Sequence, residues 1–271
     1  MAIVKRFIKK ILALLGFNIS RAPRTGAPVC WPVAGPHAET YFEIDRDFHE
    51  QYDDAQRQTQ MASLDDALRR NRHYFLYHLI RQAPIQSGHV AELGCWKGLS
   101  AFQIARYLAD NKTRFGDRKF FVFDSFEGLS EIRPVDRASR SVATNEEDQT
   151  LRQRFAASLD TVQANLAPFS DLLVYLKGWI PERFHEVKDK TFSFVHVDVD
   201  LYEPIKESIG FFYPRLAANG IMVFDDYGCT RFPGAKRAVD EFLKSTHDCI
   251  FVPTPTGTAF LVKLGSADSA R

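Results

Sequence analysis

The stretch FSFVHVDVDLYE at 192–203 ends an apolar run in two carboxylates, Asp198 and Asp200. Like charges held this close raise each other's pKa unless something positive lies between them. A bound cation meets that need, and so does a turn in which one or both aspartates cap the next helix. A second acidic pair, Asp225 and Asp226, follows the apolar run GIMVF at 220–224. If the two runs are parallel neighbours, Asp198, Asp225 and Asp226 reach the same rim of a sheet. Three carboxylates there form a hard-oxygen site suited to Mg²⁺, which keeps coordination positions for water and substrate oxygens. The other account of DDY is a turn cap before Gly228. Asp198 is the candidate to join ligand and base roles, with Asp200 and His196 as the other candidate bases. His196 itself sits inside a strand and reads as a satisfied core histidine.

A different chemistry is written in AELGCWKGLS at 91–100, where Gly94 and Gly98 permit a tight turn from strand into helix. The next apolar run ends at Asp124, whose carboxylate has the position of the ribose-binding acid of nucleotide-binding folds. Together they point to an adenosine-containing cofactor. The spacing departs from G-x-G-x-x-G, and Cys95 and Trp96 fill the turn where a pyrophosphate needs bare backbone. S-adenosylmethionine, which has no phosphate, fits such a turn, with Glu92 and the turn's amides set to meet its amine and carboxylate. Trp179 is a candidate to flank the adenine or the acceptor, or to pack.

These residues need a scaffold that brings strand ends together. Strands are expected at 89–93, 120–124, 172–177, 192–198 and 220–226, alternating with helices near 99–110, 149–166, 203–217 and 234–246. That alternation is what a parallel sheet requires. CIFVPT and TAFLVKL, separated by a Pro-Thr-Gly turn, predict an antiparallel pair closing one edge. The fold class is thus α/β, a doubly wound, mostly parallel sheet with an antiparallel C-terminal edge strand and an N-terminal helical extension. Residues 1–60 read as an amphipathic helix and arm, and 61–271 as the catalytic domain. The polar connection at 129–148 is expected to be a lid or binding loop.

Composition narrows the partners. A chain of 271 residues with 45% hydrophobic content buries a substantial core, and a net charge of +1 gives no broad field for nucleic acid. The four scattered cysteines form no metal spacing and read as free thiols in a reducing, cytoplasmic compartment. Within MAIVKRFIKKILALLGF, Ile3, Phe7, Ile11, Leu14 and Leu15 share helical spacing beside Lys5, Arg6, Lys9 and Lys10. Such a helix suits peripheral contact with the inner face of a membrane, packing on its own body, or a second copy in a homo-oligomer.

VAELGCWKGLSA, FVFDSFEGL, YLKGWIPERF, VDVDLYEPIKESI, FFYPRLAANGIMVFDDYG and AVDEF, in that order over about 60–262, resemble the macrocin O-methyltransferase family. The resemblance implies a Rossmann-like class I methyltransferase that uses S-adenosylmethionine and Mg²⁺ to methylate a sugar hydroxyl. It matches Asp198, Asp225 and Asp226 to the metal-binding aspartates. Glu92, Gly94, Cys95, Ser100, Asp124 and Ser125 fall in cofactor-binding segments, with Trp179 beside them. The chain departs from the family at Leu99 and Asn219, where glycines are usual, at His196, where a basic residue is usual, and in its closing strand, which lacks an aromatic end. Two rival readings are a D-x-D glycosyltransferase, which leaves ELGCWKG and DDY unexplained, and a non-catalytic cofactor-binding subunit of a glycan-assembly complex.

Overall fold

A computed structural model describes residues 40–138 and 145–265. The expected N-terminal amphipathic helix and most of the arm lie outside them. Five parallel strands form the body of one sheet: β1 (His89–Leu93), β2 (Phe120–Asp124), β3 (Leu173–Lys177), β4 (Phe192–Val197) and β5 (Leu216–Phe224). Then β6 (Cys249–Pro253) and β7 (Ala259–Lys263) form the expected antiparallel hairpin, with β7 paired to β5. The order is β3-β2-β1-β4-β5-β7-β6. All six residues of β4 are buried, as a central strand covered on both faces requires.

The helices of seven residues or more among the described residues are α1 (Arg46–Gln58), α2 (Ala67–Gln82), α3 (Leu99–Asp110), α4 (Asn145–Arg154), α5 (Leu159–Asn165), α6 (Tyr202–Phe212) and α7 (Pro233–Leu243). Alternate side chains of the sheet point to opposite faces. On one face Ala91, Leu93, Val195, Val197, Met222 and Phe224 join Ile205, Ile209 and Phe212 of α6 and Ala235 and Val239 of α7 in one core cluster. α1 and α2 pack on α3, and α2 reaches β5.

Three elements differ most from the sequence reading. Residues 46–58, read as part of an arm, form α1: Asp45 caps it by accepting from the Phe48 amide at 2.9 Å, and Phe48, Tyr52 and Ala55 are fully buried along one face. Only that narrow stripe is apolar, so the acidic remainder hides it. The single helix expected at 149–166 is two, because Ser158 restarts the chain by accepting from the Thr161 amide. α6 stops at Phe212, short of the expected 217, since Pro214 cannot continue it.

Candidate active site

The chain winds outward from β1 through β2 to β3, then returns to lay β4 on the other side of β1 and continue to β5. The crevice beyond the carboxyl ends of β1 and β4 is therefore the switch point where an open α/β sheet binds ligands. Backbone bonds carry the parallel ladder into that rim: Gly94 N–H donates to Phe123, Asp198 N–H to Leu93 and Asp225 N–H to Val197, at 2.8–3.0 Å. Three turns thus leave the sheet side by side.

At the β1 turn Gly94 has φ +81°, and a Cβ there would lie 1.9 Å from the Asp198 carbonyl oxygen. Only glycine lets the two turns approach so closely. Asp124 fastens the same turn from β2. Its Oδ2 accepts from the amides of Cys95 (2.7 Å) and Trp96 (3.2 Å), and its Oδ1 from Phe126 at 2.7 Å. Ser125 Oγ accepts from the Glu127 amide and donates to the Gly128 carbonyl, so the DSFEG segment is a self-bonded loop. Gly128 in turn lies against Arg152 of α4, where a Cβ would stand 2.1 Å from a carbonyl oxygen. Beyond it Asp136, buried in the 129–138 connection, accepts from the Tyr202 amide at 2.7 Å and caps α6.

Beyond β4 and β5 the acids gather. One carboxylate oxygen from each of Asp198, Asp200 and Asp226 lies within 4.8 Å of the others. Asp200 adopts a left-handed conformation (φ +58°), which disfavours a non-glycine residue by about 1 kcal/mol. Its amide donates to Asp226 Oδ2 at 3.0 Å. Burial, reinforced by the charges of Asp225 and Asp226, raises Asp198 well above the usual carboxylate range. The same causes raise Asp200 and lift Asp226 to about 6. The three acids that converge thus raise one another's affinity for protons, as like charges held close together do.

Asp225 is different. Its Oδ2 is 3.1 Å from Nη1 of Arg72, its carbonyl oxygen accepts from Nη2 of Arg72, and its Oδ1 is 4.0 Å from Nε2 of His196. Although burial opposes the charge, Arg72 and His196 hold the Asp225 carboxyl well below its ordinary pKa. His196 is register partner to Glu92 on the neighbouring strand, and its Nδ1 lies 2.8 Å from Glu92 Oε1. Burial opposes a charge on the imidazole, but Asp225 and Glu92 outweigh it and raise its pKa to about 10. His196 is thus the buried, partnered histidine that the sequence suggests, set between two acids.

A cavity of about 320 Å³ joins both halves, and its lining includes Gly94, Ser100, Asp124, Ser125 and Trp179 from the sequence-predicted cofactor set. Asp198, Asp200, Asp225 and Asp226 line it too. Glu92 and Cys95 are outside the lining, contrary to the sequence reading: the β1–β4 register turns Glu92 onto His196, and Cys95 is buried within the turn. Sequence reasoning missed Arg72, His73, Arg69 and Trp96, all in the lining. LRRNRHYF reads as a charged helix face, and nothing in it signals a partner 153 residues away.

Comparison with known proteins follows the same geometry. The chain is 29% identical over 160 residues to a demethyldecarbamoylnovobiocin O-methyltransferase of Streptomyces niveus, covering 57% of this chain and 58% of that protein. It is 28% identical over 166 residues to an 8-demethyl-8-(2,3-dimethoxy-alpha-L-rhamnosyl)-tetracenomycin-C 4'-O-methyltransferase of Streptomyces olivaceus, covering 59% and 57%. The chain thus matches less than two thirds of the length of these curated relatives. Among solved structures, the calicheamicin methyltransferase CalS11 superposes with a TM-score of 0.60 at 18% identity, covering 84% of this chain and 95% of that one. The O-methyltransferase NovP gives 0.58 at 21% identity, covering 72% and 80%. The fold is that of the class I O-methyltransferases. The macrocin-O-methyltransferase (TylF) family model matches residues 69–250, more than half of the chain, and the protein belongs to that family.

Proposed function

We propose that the protein methylates a hydroxyl of a sugar on a natural product or glycan, with S-adenosylmethionine as donor and Mg²⁺ as metal. One observation carries this reading: the glycine turn after β1 and the acids after β4 and β5 line a single cavity. The donor set fits a hard cation, since Asp198 and Asp200, half-buried, and Asp226, buried, offer converging carboxylate oxygens. When bound, such an ion supplies Lewis acidity that lowers the pKa of an acceptor hydroxyl. Asp225, grouped with the ligands by sequence, buttresses the set from its pairs with Arg72 and His196.

The residues do the rest. Gly94, Ser100 and Trp179 line the donor's side of the cavity, where Asp124 keeps the turn fixed by three amide bonds. Asp198, with Asp200 beside it at the same end of the cavity, is the carboxylate placed to take the hydroxyl's proton. Aromatic Trp96 and Phe155, with ring centroids 5.4 Å apart, present an apolar wall of the kind on which sugar faces pack. The names of the relatives, one of which specifies a rhamnosyl-bearing tetracenomycin, support a glycosylated acceptor.

The test is methyl transfer from labelled S-adenosylmethionine to a panel of glycosylated acceptors, with and without chelator, alongside binding of a labelled nucleotide sugar. Asp198→Asn is expected to lower turnover by at least about a thousandfold while S-adenosylmethionine affinity stays within about threefold. Full turnover after exhaustive metal removal, or binding of the nucleotide sugar alone, overturns the reading.

A further inference from the structure

Arg72 enters the acid cluster from α2, an element that belongs to none of the strand-end turns, and methyl transfer itself asks for no guanidinium there. Nη1 is 3.1 Å from Asp225 Oδ2, and Nη2 is 3.7 Å from Asp226 Oδ1 while donating to the Asp225 carbonyl. The side chain is only 23% exposed, and its buried Nε has no partner among the described residues. The guanidinium therefore spans one acid inside the converging set, Asp226, and one outside it, Asp225.

Charge accounting shows why that position matters. Asp198, Asp200, Asp225 and Asp226 share the cavity with Arg231, whose charge reaches Asp200, and with His196, which lies against both Glu92 and Asp225. Among the described residues Arg72 is the arginine within 4 Å of Asp225 and Asp226, so removing it takes away the guanidinium nearest to both. A guanidinium is always charged and cannot ligate a metal, so it neutralises the cluster without filling it.

We propose, on the divalent-cation reading above, that Arg72 is the resident counter-cation of this cluster. It holds the acids together through Asp225 and Asp226 and would weaken a divalent ion's binding by repulsion. Ion affinity is thereby set from helix α2 rather than from the ligand residues alone.

The experiment measures Mn²⁺ affinity in metal-free, full-length protein from the loss of the free-ion electron paramagnetic resonance signal, for wild type, Arg72→Met and Arg72→Lys. Methionine keeps the apolar stem and the helix preference while removing the charge. The expected result is Mn²⁺ binding about tenfold tighter in Arg72→Met, from loss of one unit charge a few ångströms away in a partly buried site. Arg72→Lys, which retains the charge, stays within about threefold of wild type. Metal-free Arg72→Met also melts below wild type, and saturating Mn²⁺ narrows the gap. Equal or weaker Mn²⁺ binding in Arg72→Met overturns the role of Arg72 alone. No saturable binding to wild type overturns the divalent-cation reading and the proposal with it. Should the methionine variant not fold, Arg72→Gln is read by the same criterion.

Discussion

A side chain at position 94 has nowhere to go: its Cβ would press on the carbonyl of Asp198, and the backbone there is left-handed. Gly94→Ala is therefore expected to cost more than about 2 kcal/mol of stability and to abolish S-adenosylmethionine binding, as chemical denaturation and calorimetric titration will show. Loss of binding without loss of stability would contradict the close approach of the two turns. This glycine was legible because it sits between an apolar run and a helix, and so were Asp124, Asp198, Asp225 and Asp226, each at or next to the end of an apolar run. The partner each acid chooses was not legible. Whether Asp225 faces a metal or a guanidinium depends on Arg72, which no local pattern ties to β5. Asp124 likewise read as a ribose acceptor, and its bonds to three backbone amides emerge only when the β1 and β2 turns stand side by side.

Helices α1, α2 and α3 form the support behind the acids. Phe48 of α1 packs edge-on to Tyr74 and Tyr77 of α2, and Phe48→Ala is expected to cost about 3–5 kcal/mol in urea unfolding. A loss below 1 kcal/mol would place α1 outside the cooperative unit. Between α2 and α3, His73 Nδ1 lies 2.5 Å from Gln103 Oε1. Burial lowers His73 to about 4 from an ordinary 6.5. Between those values the unfolded chain takes up a proton that the folded chain refuses, so His73 erodes stability as pH falls from 6.5 to about 4, and no further below that. His73→Gln is expected to flatten this limb when unfolding midpoints are compared across that window; an unchanged slope would show that the imidazole charges freely in the fold. The strands were the readable elements, since central parallel strands are apolar almost without interruption. α1 was not, because three buried residues on one turn-spaced face carry little weight against an acidic background.

At the scale of the whole molecule, the ladder of alternating strands and helices set the sheet's composition and its antiparallel edge in advance, while the residues that balance charge across the switch point came from the fold alone. A ligand that binds only the folded state stabilises it by mass action. Saturating Mg²⁺ is therefore expected to raise the melting temperature by several degrees, about 2–4 °C per kcal/mol for a chain of this size, with chelator reversing it. No shift at any Mg²⁺ concentration would sink the metal assignment independently of any acceptor.

The return of the chain from β3 to β4 divides the molecule's tasks along its length as well as in space. The turns after β1 and β2 are spelled before residue 130, and the carboxylates that follow β4 and β5 are spelled after residue 197. Each stretch is uninterrupted, so recombination between relatives at the β3–β4 connection would replace the acids as one set while leaving the glycine turn and Asp124 in place.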